Sequence, residues 1–385
     1  TGPKKVRITR IHMEEDTGKL THVSGTTKSH VDYNRAGLPL MELVTEPDIR
    51  TAEEARVFCE ELQLMLRYLD ISDADMELGQ MRCEVNISLR EKGTKEFGTK
   101  VEIKNLNSFR AVENSIKYEI DRQTRAYESG EEIVQETRGW DDAKGQTFSQ
   151  RKKENAHDYR YFLEPDIPPF ETSEIQLDAS KGMAELPIAK RRRFANEYGI
   201  KSQQIETLVK DKQLSIYFER TISELMEWFR SNNRKVEDPE SDEQYVKLVK
   251  LATNYLLTEL TRMHAEAGKG FDDPAIDPEN YAEFITIVGS GEISSSAAQT
   301  VLAEMMPTGG DPSEIIDSKG LRQISDAGAL ESVVLQVIEE HAAVAEDYRS
   351  GNTNAVQYLV GQVMKATKGS ANPQLARELL EQKLS

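Results

Sequence analysis

Three carboxylates in a row, Glu14, Glu15 and Asp16, stand just before Thr17-Gly18, and His12 precedes Glu14 by two residues. Carboxylates packed side by side repel one another, and a hard divalent cation relieves that repulsion while accepting oxygen ligands. Two readings follow: a solvated acidic loop, or part of a cation site completed by residues elsewhere in the chain. Candidates for completing it come later. Met81, Cys83, Val85, Ile87 and Leu89 alternate with Arg82, Glu84, Asn86, Ser88 and Arg90, the period of a half-buried strand. Lys92-Gly93 signals a turn, and Val101 and Ile103 then alternate with Lys100, Glu102 and Lys104. The two runs read as an antiparallel hairpin whose polar face carries Glu84 and Glu102 among Arg and Lys side chains. A solvated face shows the same alternation, whereas the short side chains of Asn86 and Ser88 suit hydrogen bonding to a ligand.

The elements that must position these groups follow from periodicity. Val6 and Ile8 alternate with Arg7 and Thr9, so the acidic triplet falls at a strand end. Asp32 to Gly37 reads as a loop and Leu38 to Val44 as a short buried strand. Thr51 and Glu54 have the spacing of a capping box, and Val57, Phe58, Leu62, Met65, Leu66 and Leu69 form the apolar stripe of the helix it starts. Cys59 sits beside that stripe and reads as packing. A second helix is capped within Asn105 to Ser108, buries Phe109, Val112, Ile116 and Ile120, and stops at Gly130. A second hairpin is expected from a strand over Ile133 to Arg138, a turn at Asp141 to Gly145 and a short strand near Phe148. Arg151 to Tyr161 then mixes charged and aromatic residues without amphipathic order, the texture of a loop that carries binding residues.

From about Glu185 strands vanish and helical stripes follow one another, which puts a domain boundary near residue 180. Helices are expected over Leu214 to Phe229, Tyr245 to Met263 and Tyr281 to Ile287. The basic run Lys190 to Arg193 reads as the solvated face of a helix. A further unit starts near Ser294, whose hydroxyl can cap a helix over Ala297 to Met306. Gly309-Gly310 and Gly320 break the chain, and helices follow over about Ala329 to Asp347, Ala355 to Ala366 and from Gln374. Small residues between Asn352 and Pro373 permit close approach of a ribose-phosphate backbone, and Lys365 and Lys368 suit phosphate contacts.

At 385 residues the chain suggests two or three domains, and 38% hydrophobic with 30% charged residues suits a globular protein. No apolar run approaches the length of a membrane span and no signal-like segment is present, so a cytoplasmic location is expected. The net charge of -18 argues against loose electrostatic binding to nucleic acid, but not against a structured RNA met by a local surface. With only two cysteines, neither in a CxxC pair, no disulfide framework or internal zinc site is expected. The chain opens on Thr1 and its first strand begins almost at once, which reads as a fragment.

Seven stretches, in order, resemble one family. They are Arg10 to Asp16, Asp32 to Gly37, Thr45 to Ile49, Met81 to Ser88, Glu102 to Phe109, Asp158 to Phe162 and Leu359 to Gly369, and together they resemble the B subunits of aspartyl/glutamyl-tRNA amidotransferases, the GatB family. The resemblance implies an α+β catalytic domain of the glutamine-synthetase/guanido-kinase cradle type over residues 1–180. An all-α helical domain over 181–293 and a YqeY-like, tRNA-binding all-α tail over 294–385 complete the implied architecture. It implies ATP-dependent phosphorylation of the side-chain carboxylate of Glu-tRNA(Gln) or Asp-tRNA(Asn), followed by amidation with channelled ammonia. The ammonia is expected from the A subunit, which is a glutamine-hydrolysing amidase, and the small C subunit is expected to clasp the two. Magnesium is the implied metal, with Glu14, Glu15, Glu84 and Glu102 as its ligands and Glu15 and Glu102 as the catalytic pair. Glu84 stands where the family usually shows Asp. Arg82, Asn86, Lys104 and Arg160 are the implied ATP or substrate contacts, and Lys365 and Lys368 the tRNA contacts. Family members carry an additional N-terminal segment with further metal ligands and zinc-binding cysteines; zinc is expected only there. Two rivals stand beside this reading: a non-catalytic fragment that docks tRNA and its protein partners, and a tRNA-independent carboxylate-amine ligase.

Overall fold

The computed structural model describes residues 4–152, 181–232, 242–323, 327–367 and 369–384, with a few positions between 165 and 179. Arg160, Lys368 and residues 153–164, and with them most of the loop expected over Arg151 to Tyr161, lie outside the described residues. The chain divides into two compact units, Thr1–Ala184 and Glu185–Ser385.

The first unit mixes sheet and helix. Strand β1 (Ile8–Glu15) pairs antiparallel with β4 (Pro39–Thr45), and β2 (Lys19–His22) pairs with β3 (Ser29–Asp32). Helix α1 (Ala52–Tyr68) begins where the sequence places it, with Thr51 and Glu54 capping each other's backbone N–H groups. Strands β5 (Cys83–Ile87), β6 (Val101–Leu106), β7 (Glu136–Asp141) and β8 (Gln146–Lys152) form one sheet in that order. The two expected hairpins thus share a sheet. Their junction, β6 with β7, is parallel, and parallel neighbours need a long crossover. Helix α2 (Phe109–Ser129) supplies it, capped by the Ser108 hydroxyl, which accepts from the Ala111 amide, and closed by Gly130 at φ 72°.

Two expectations change in this unit. The segment from Leu38 is not a buried strand: β4 is half-buried along most of its length and exposed at its start. The strand expected from Ile133 starts only at Glu136, because Ile133 turns into a small cluster with Val101 and Ala126. The main core of the unit lies between sheet and helices, where Ile103, Leu106 and Trp140 meet Ala111, Val112 and Ile116 of α2 and Ala52 and Ala55 of α1.

One carboxylate sits in this layer. Glu119 of α2 is fully buried and accepts hydrogen bonds from Arg122 at 2.9 Å, Gln123 at 3.0 Å and the Thr147 hydroxyl at 2.5 Å. The Arg138 guanidinium of β7 lies 3.2 Å away. Burial raises the Glu119 carboxyl, but the donations from Arg122, Thr147 and Gln123 outweigh it and leave the group below the ordinary carboxylate range. The apolar stripe of α2 did not reveal this network, which joins helix to sheet.

The second unit is helical: α3 (Pro187–Glu197), α4 (Ser202–Lys210), α5 (Lys212–Asn232), α6 (Glu243–Tyr255), α7 (Thr261–Glu266), α8 (Pro278–Ser290), α9 (Ser295–Thr308), α10 (Pro312–Lys319), α11 (Ala327–Glu340), α12 (Ala342–Arg349), α13 (Ala355–Ala366) and α14 (Pro373–Leu384). A π-helical turn, Leu256–Leu260, joins α6 to α7, so the expected helix through Met263 is continuous but locally widened. The helix expected over Ala329 to Asp347 breaks at His341, whose backbone leaves the helical region (φ -118°, ψ 40°). Ser294 caps α9 as its sequence suggests, and Gly309 and Gly320 close α9 and α10 in left-handed conformations.

Of the basic run at 190–193 only Arg192 is exposed. Lys190 is buried and pairs with Glu219 and, at 3.6 Å, Glu185; Arg191 pairs with Glu206 at 2.9 Å; and Arg193 reaches Glu185 at 2.7 Å and Glu219. Hydrogen bonding to Glu185 and then Glu219 raises the Arg193 pKa further. These cations pin α3 to α4 and α5 over the aromatic cluster of Phe194, Tyr198 and Phe218, with ring centroids 5.1 to 5.5 Å apart.

Across residue 294 the packing continues, since Asn280 donates to the Gly309 carbonyl at 2.9 Å and the Ser313 hydroxyl to Glu283 at 2.6 Å. Helices α11 to α14 enclose a core of their own around Leu330, Val334, Leu359, Val363 and Leu380. No described helix is long and apolar enough to cross a membrane.

Candidate active site on the open face of the four-stranded sheet

Val101 and Ile103 point into the core under α2, so the intervening period-two positions of β6 face the other way. Glu102 and Lys104 therefore share the open face with Glu84 and Asn86 of β5, Thr137 and Gly139 of β7 and Phe148 of β8, as the ladder registers require. Glu102 is 9% exposed although it lies on this face. Its carboxylate accepts a hydrogen bond from the Thr137 hydroxyl at 2.8 Å. Lys104 donates to Glu84 at 3.0 Å, and its ammonium lies 3.8 Å from Glu102. Asn86 stands opposite Glu102 in the ladder, and Arg82 lies exposed just before β5. The hairpin reading thus places the two carboxylates on one face, and the structure adds the ammonium between them.

Residue Asn105 makes this arrangement possible. Cys83 faces Leu106 and Val85 faces Ile103, so β6 carries one residue more than β5 over that interval. Asn105, at φ 64°, is the extra residue of a β-bulge, and asparagine is among the few side chains that tolerate a left-handed backbone. The bulge returns Leu106 to the core while Lys104 keeps the open face. The alternation Val101, Ile103, Leu106 already breaks period two at this point, the signal that was legible in the sequence. Asn105→Gly is expected to keep stability within a few tenths of a kcal/mol, whereas Asn105→Val loses about 1–2 kcal/mol through left-handed strain. Urea unfolding of the two variants measures both.

Position 139 is crowded for a different reason. A β-carbon there would come within 2.6 Å of Phe148 and Gln150, whose side chains lie over this point of the sheet. Thr137, Gly139 and Phe148 were not anticipated as site residues, because the expected second hairpin was not tied to the first.

The opening triplet is divided by its own strand. In β1, Met13 pairs with Met41, Glu14 with Leu40 and Glu15 with Pro39, in unbroken register. Successive strand residues point to opposite faces. Glu14 therefore shares a face with His12 and Glu42, and Glu15 the other face with Ile11 and Met13. Asp16 is held by Arg35, whose Nε lies 3.0 Å from it and which also donates to the Gly79 carbonyl at 2.9 Å. Among the described residues no three His, Cys, Asp or Glu side chains are grouped closely enough to hold a metal ion. Glu14, Glu15, Glu84 and Glu102 are accordingly not gathered: Glu84 and Glu102 come together, while Glu14 and Glu15 lie on a separate two-stranded ribbon. Lys365 is exposed in the last turn of α13.

An α/β unit with a charged open sheet face, followed by a helical unit, is a class of architecture and not yet a family. Residues 1–178 match the family described as the GatB/GatE catalytic domain, and residues 240–384 match that described as the GatB domain. The chain belongs to the GatB family. It is 45% identical over 385 residues to the B subunit of the aspartyl/glutamyl-tRNA(Asn/Gln) amidotransferase of Caldanaerobacter subterraneus subsp. tengcongensis, covering 100% of this chain and 76% of that protein. The corresponding protein of Persephonella marina is 44% identical over 382 residues, with 99% and 76% covered. That of Trichodesmium erythraeum is 43% identical over 387 residues, with 99% and 74% covered.

Proposed function

We propose that this chain serves in a tRNA-dependent amidotransferase, beside an amidase (the A subunit) and a small clasping protein (the C subunit), and that the open sheet face is its kinase centre. The supporting observation is the Glu102 cluster: a nearly buried carboxylate held by Thr137 and joined through Lys104 to Glu84. Two carboxylates with hydrogen-bonding Asn86 beside them are a hard oxygen donor set. Magnesium is commonly held by one or two carboxylates, with water and phosphate oxygens filling its other positions, so the donor set fits it. When bound, magnesium neutralises charge on the ATP phosphates.

The reaction follows from leaving-group chemistry. Ammonia cannot displace oxide from a carboxylate, so the side chain of Glu-tRNA(Gln) or Asp-tRNA(Asn) is first phosphorylated by ATP, and ammonia then expels phosphate. Glu84 and Glu102 hold the cation, and Glu102 is kept in place by the Thr137 hydroxyl. Lys104 and the exposed Arg82 meet phosphate oxygens, with Asn86 as a neutral donor. Glu14 and Glu15 take part by the side of the ribbon each faces, Glu14 alongside His12. The first unit is read as the cradle-type catalytic domain, and the helices around Lys365 as the surface that receives tRNA phosphates.

The test joins full-length protein to its two partner proteins and follows Gln-tRNA(Gln) and Asn-tRNA(Asn) by acid-gel electrophoresis of radiolabelled tRNA. Product is expected only with ATP and magnesium, and chelation by EDTA abolishes it. Product formation without ATP, or tRNA binding with no ATP cleavage in the complete complex, overturns the kinase assignment.

A further inference from the structure

Phe148 of β8 interrupts the polar character of the open face: its side chain is 44% exposed on the surface that carries Glu84, Asn86, Glu102, Lys104 and Thr137. A single exposed apolar residue is ordinary by itself. Its position is what sets this one apart. The Phe148 ring and the Gln150 amide both reach within 2.6 Å of the point where a β-carbon of residue 139 would stand, so they lean from β8 over β7, and glycine at 139 leaves them that room. Gly139 in turn pairs with Lys104 of β6. The ring therefore lies one strand from Lys104 and two strands from Glu84, roughly 5 and 10 Å across the sheet at the ordinary strand spacing. Gln150 is exposed, and its amide has no hydrogen-bond partner among the described residues.

We propose that Phe148 and Gln150 bind the adenine of ATP, the ring as a stacking platform and the amide as reader of the base edge. The phosphates then run across the sheet to Lys104 and the carboxylates of Glu84 and Glu102. This rests on the kinase reading above and adds to it the end of the site that selects the nucleotide. Every nucleobase has a π-face, so the ring supplies affinity without choosing among bases. Gln150 makes the choice: its amide accepts from the adenine 6-amino group while donating to N7, a paired contact that the 6-oxo group of guanine does not complete in the same orientation.

The span matters as much as the chemistry. Roughly two strand spacings between the ring and Glu84 are a gap that a ribose and a phosphate chain cross, so base and terminal phosphates are held together. Inorganic phosphates engage only the charged end. A base laid on Phe148 also takes apolar surface out of water, which the half-exposed ring leaves accessible.

Titration calorimetry on the complete complex, with magnesium and the β,γ-imido analogue of ATP, tests the platform. Phe148→Ala is expected to weaken binding by on the order of ten- to a hundredfold. Phe148→Leu, which keeps apolar bulk without a π-face, is expected to lose affinity as well, and Phe148→Tyr to retain it. Inorganic tripolyphosphate, which has no base, binds parent and variants alike. In steady-state kinetics the KM for ATP rises while kcat holds. Gln150→Leu is expected to narrow the preference for the ATP analogue over the GTP analogue by on the order of tenfold. Parental affinity for the ATP analogue in both Phe148→Ala and Phe148→Leu overturns the platform and leaves the kinase centre standing. A raised KM for aminoacyl-tRNA at unchanged KM for ATP gives the ring to the 3′-terminal adenosine of the tRNA and overturns it equally. An unchanged nucleotide preference in Gln150→Leu overturns the base reading. Binding of neither the ATP analogue nor tripolyphosphate by the parent complex overturns the kinase reading and the platform together.

Discussion

Glu102→Gln lowers ATP-dependent amidation by on the order of a hundred- to a thousandfold, the loss that several kcal/mol of transition-state charge stabilisation represents. The substitution keeps the size and planarity of the side chain, and the amide oxygen still accepts from Thr137, which now donates at 2.8 Å. What disappears is one negative charge beside Lys104, whose ammonium lies 3.8 Å from it. The expected outcome is a fall in kcat at unchanged thermal stability, measured on the complete complex with saturating tRNA. Full activity of the variant removes Glu102 from the reaction. Thr137→Val serves as the positioning control: it leaves the charge and removes the donor, so the magnesium dependence shifts while catalysis is retained in part.

Glu119→Ala is expected to cost the first unit about 3–5 kcal/mol, the range for breaking a buried ion pair by removing one partner. Arg138 and Arg122 would be left in a layer where Glu119 is fully buried. Trp140 packs in the same core and reports unfolding of this unit by fluorescence, in a Trp228→Phe background that removes the second tryptophan. The deficit has a defined pH dependence. The folded pKa of Glu119 is depressed, so its contribution is complete above the unfolded carboxylate value of about 4.3 and fades as pH falls through the folded value. Denaturant midpoints of parent and variant are therefore expected to converge on acidification below about pH 4. A constant gap across that range counts against the ionised form as the stabilising one.

Much of the frame was legible because local rules and tertiary structure agree. The Thr51 capping box starts α1, Ser108 and Gly130 bound α2, and the alternation around Glu84 and Glu102 puts both carboxylates on the open face. Where expectation and structure part, a longer-range interaction decides. The basic run at Lys190 to Arg193 looks solvated by composition, but its partners Glu185, Glu206 and Glu219 come from other parts of the unit. Glu119 looks like a surface residue beside an apolar stripe until β7 and β8 bring Arg138 and Thr147 over it.

The sequence by itself determined the helix caps, the polar and apolar sides of β5 and β6, the helical texture after residue 185 and, through seven ordered stretches, the family. Periodicity and capping act over a few residues, so they survive without knowledge of the fold. The tertiary structure alone decided which charges meet. The crossover through α2 sets β7 beside β6 and supplies Thr137 to Glu102, and the Asn105 bulge lets Lys104 join Glu84 on the open face. It also divided Glu14, Glu15 and Asp16, because neighbours on a strand face opposite ways however dense their charge looks in one dimension.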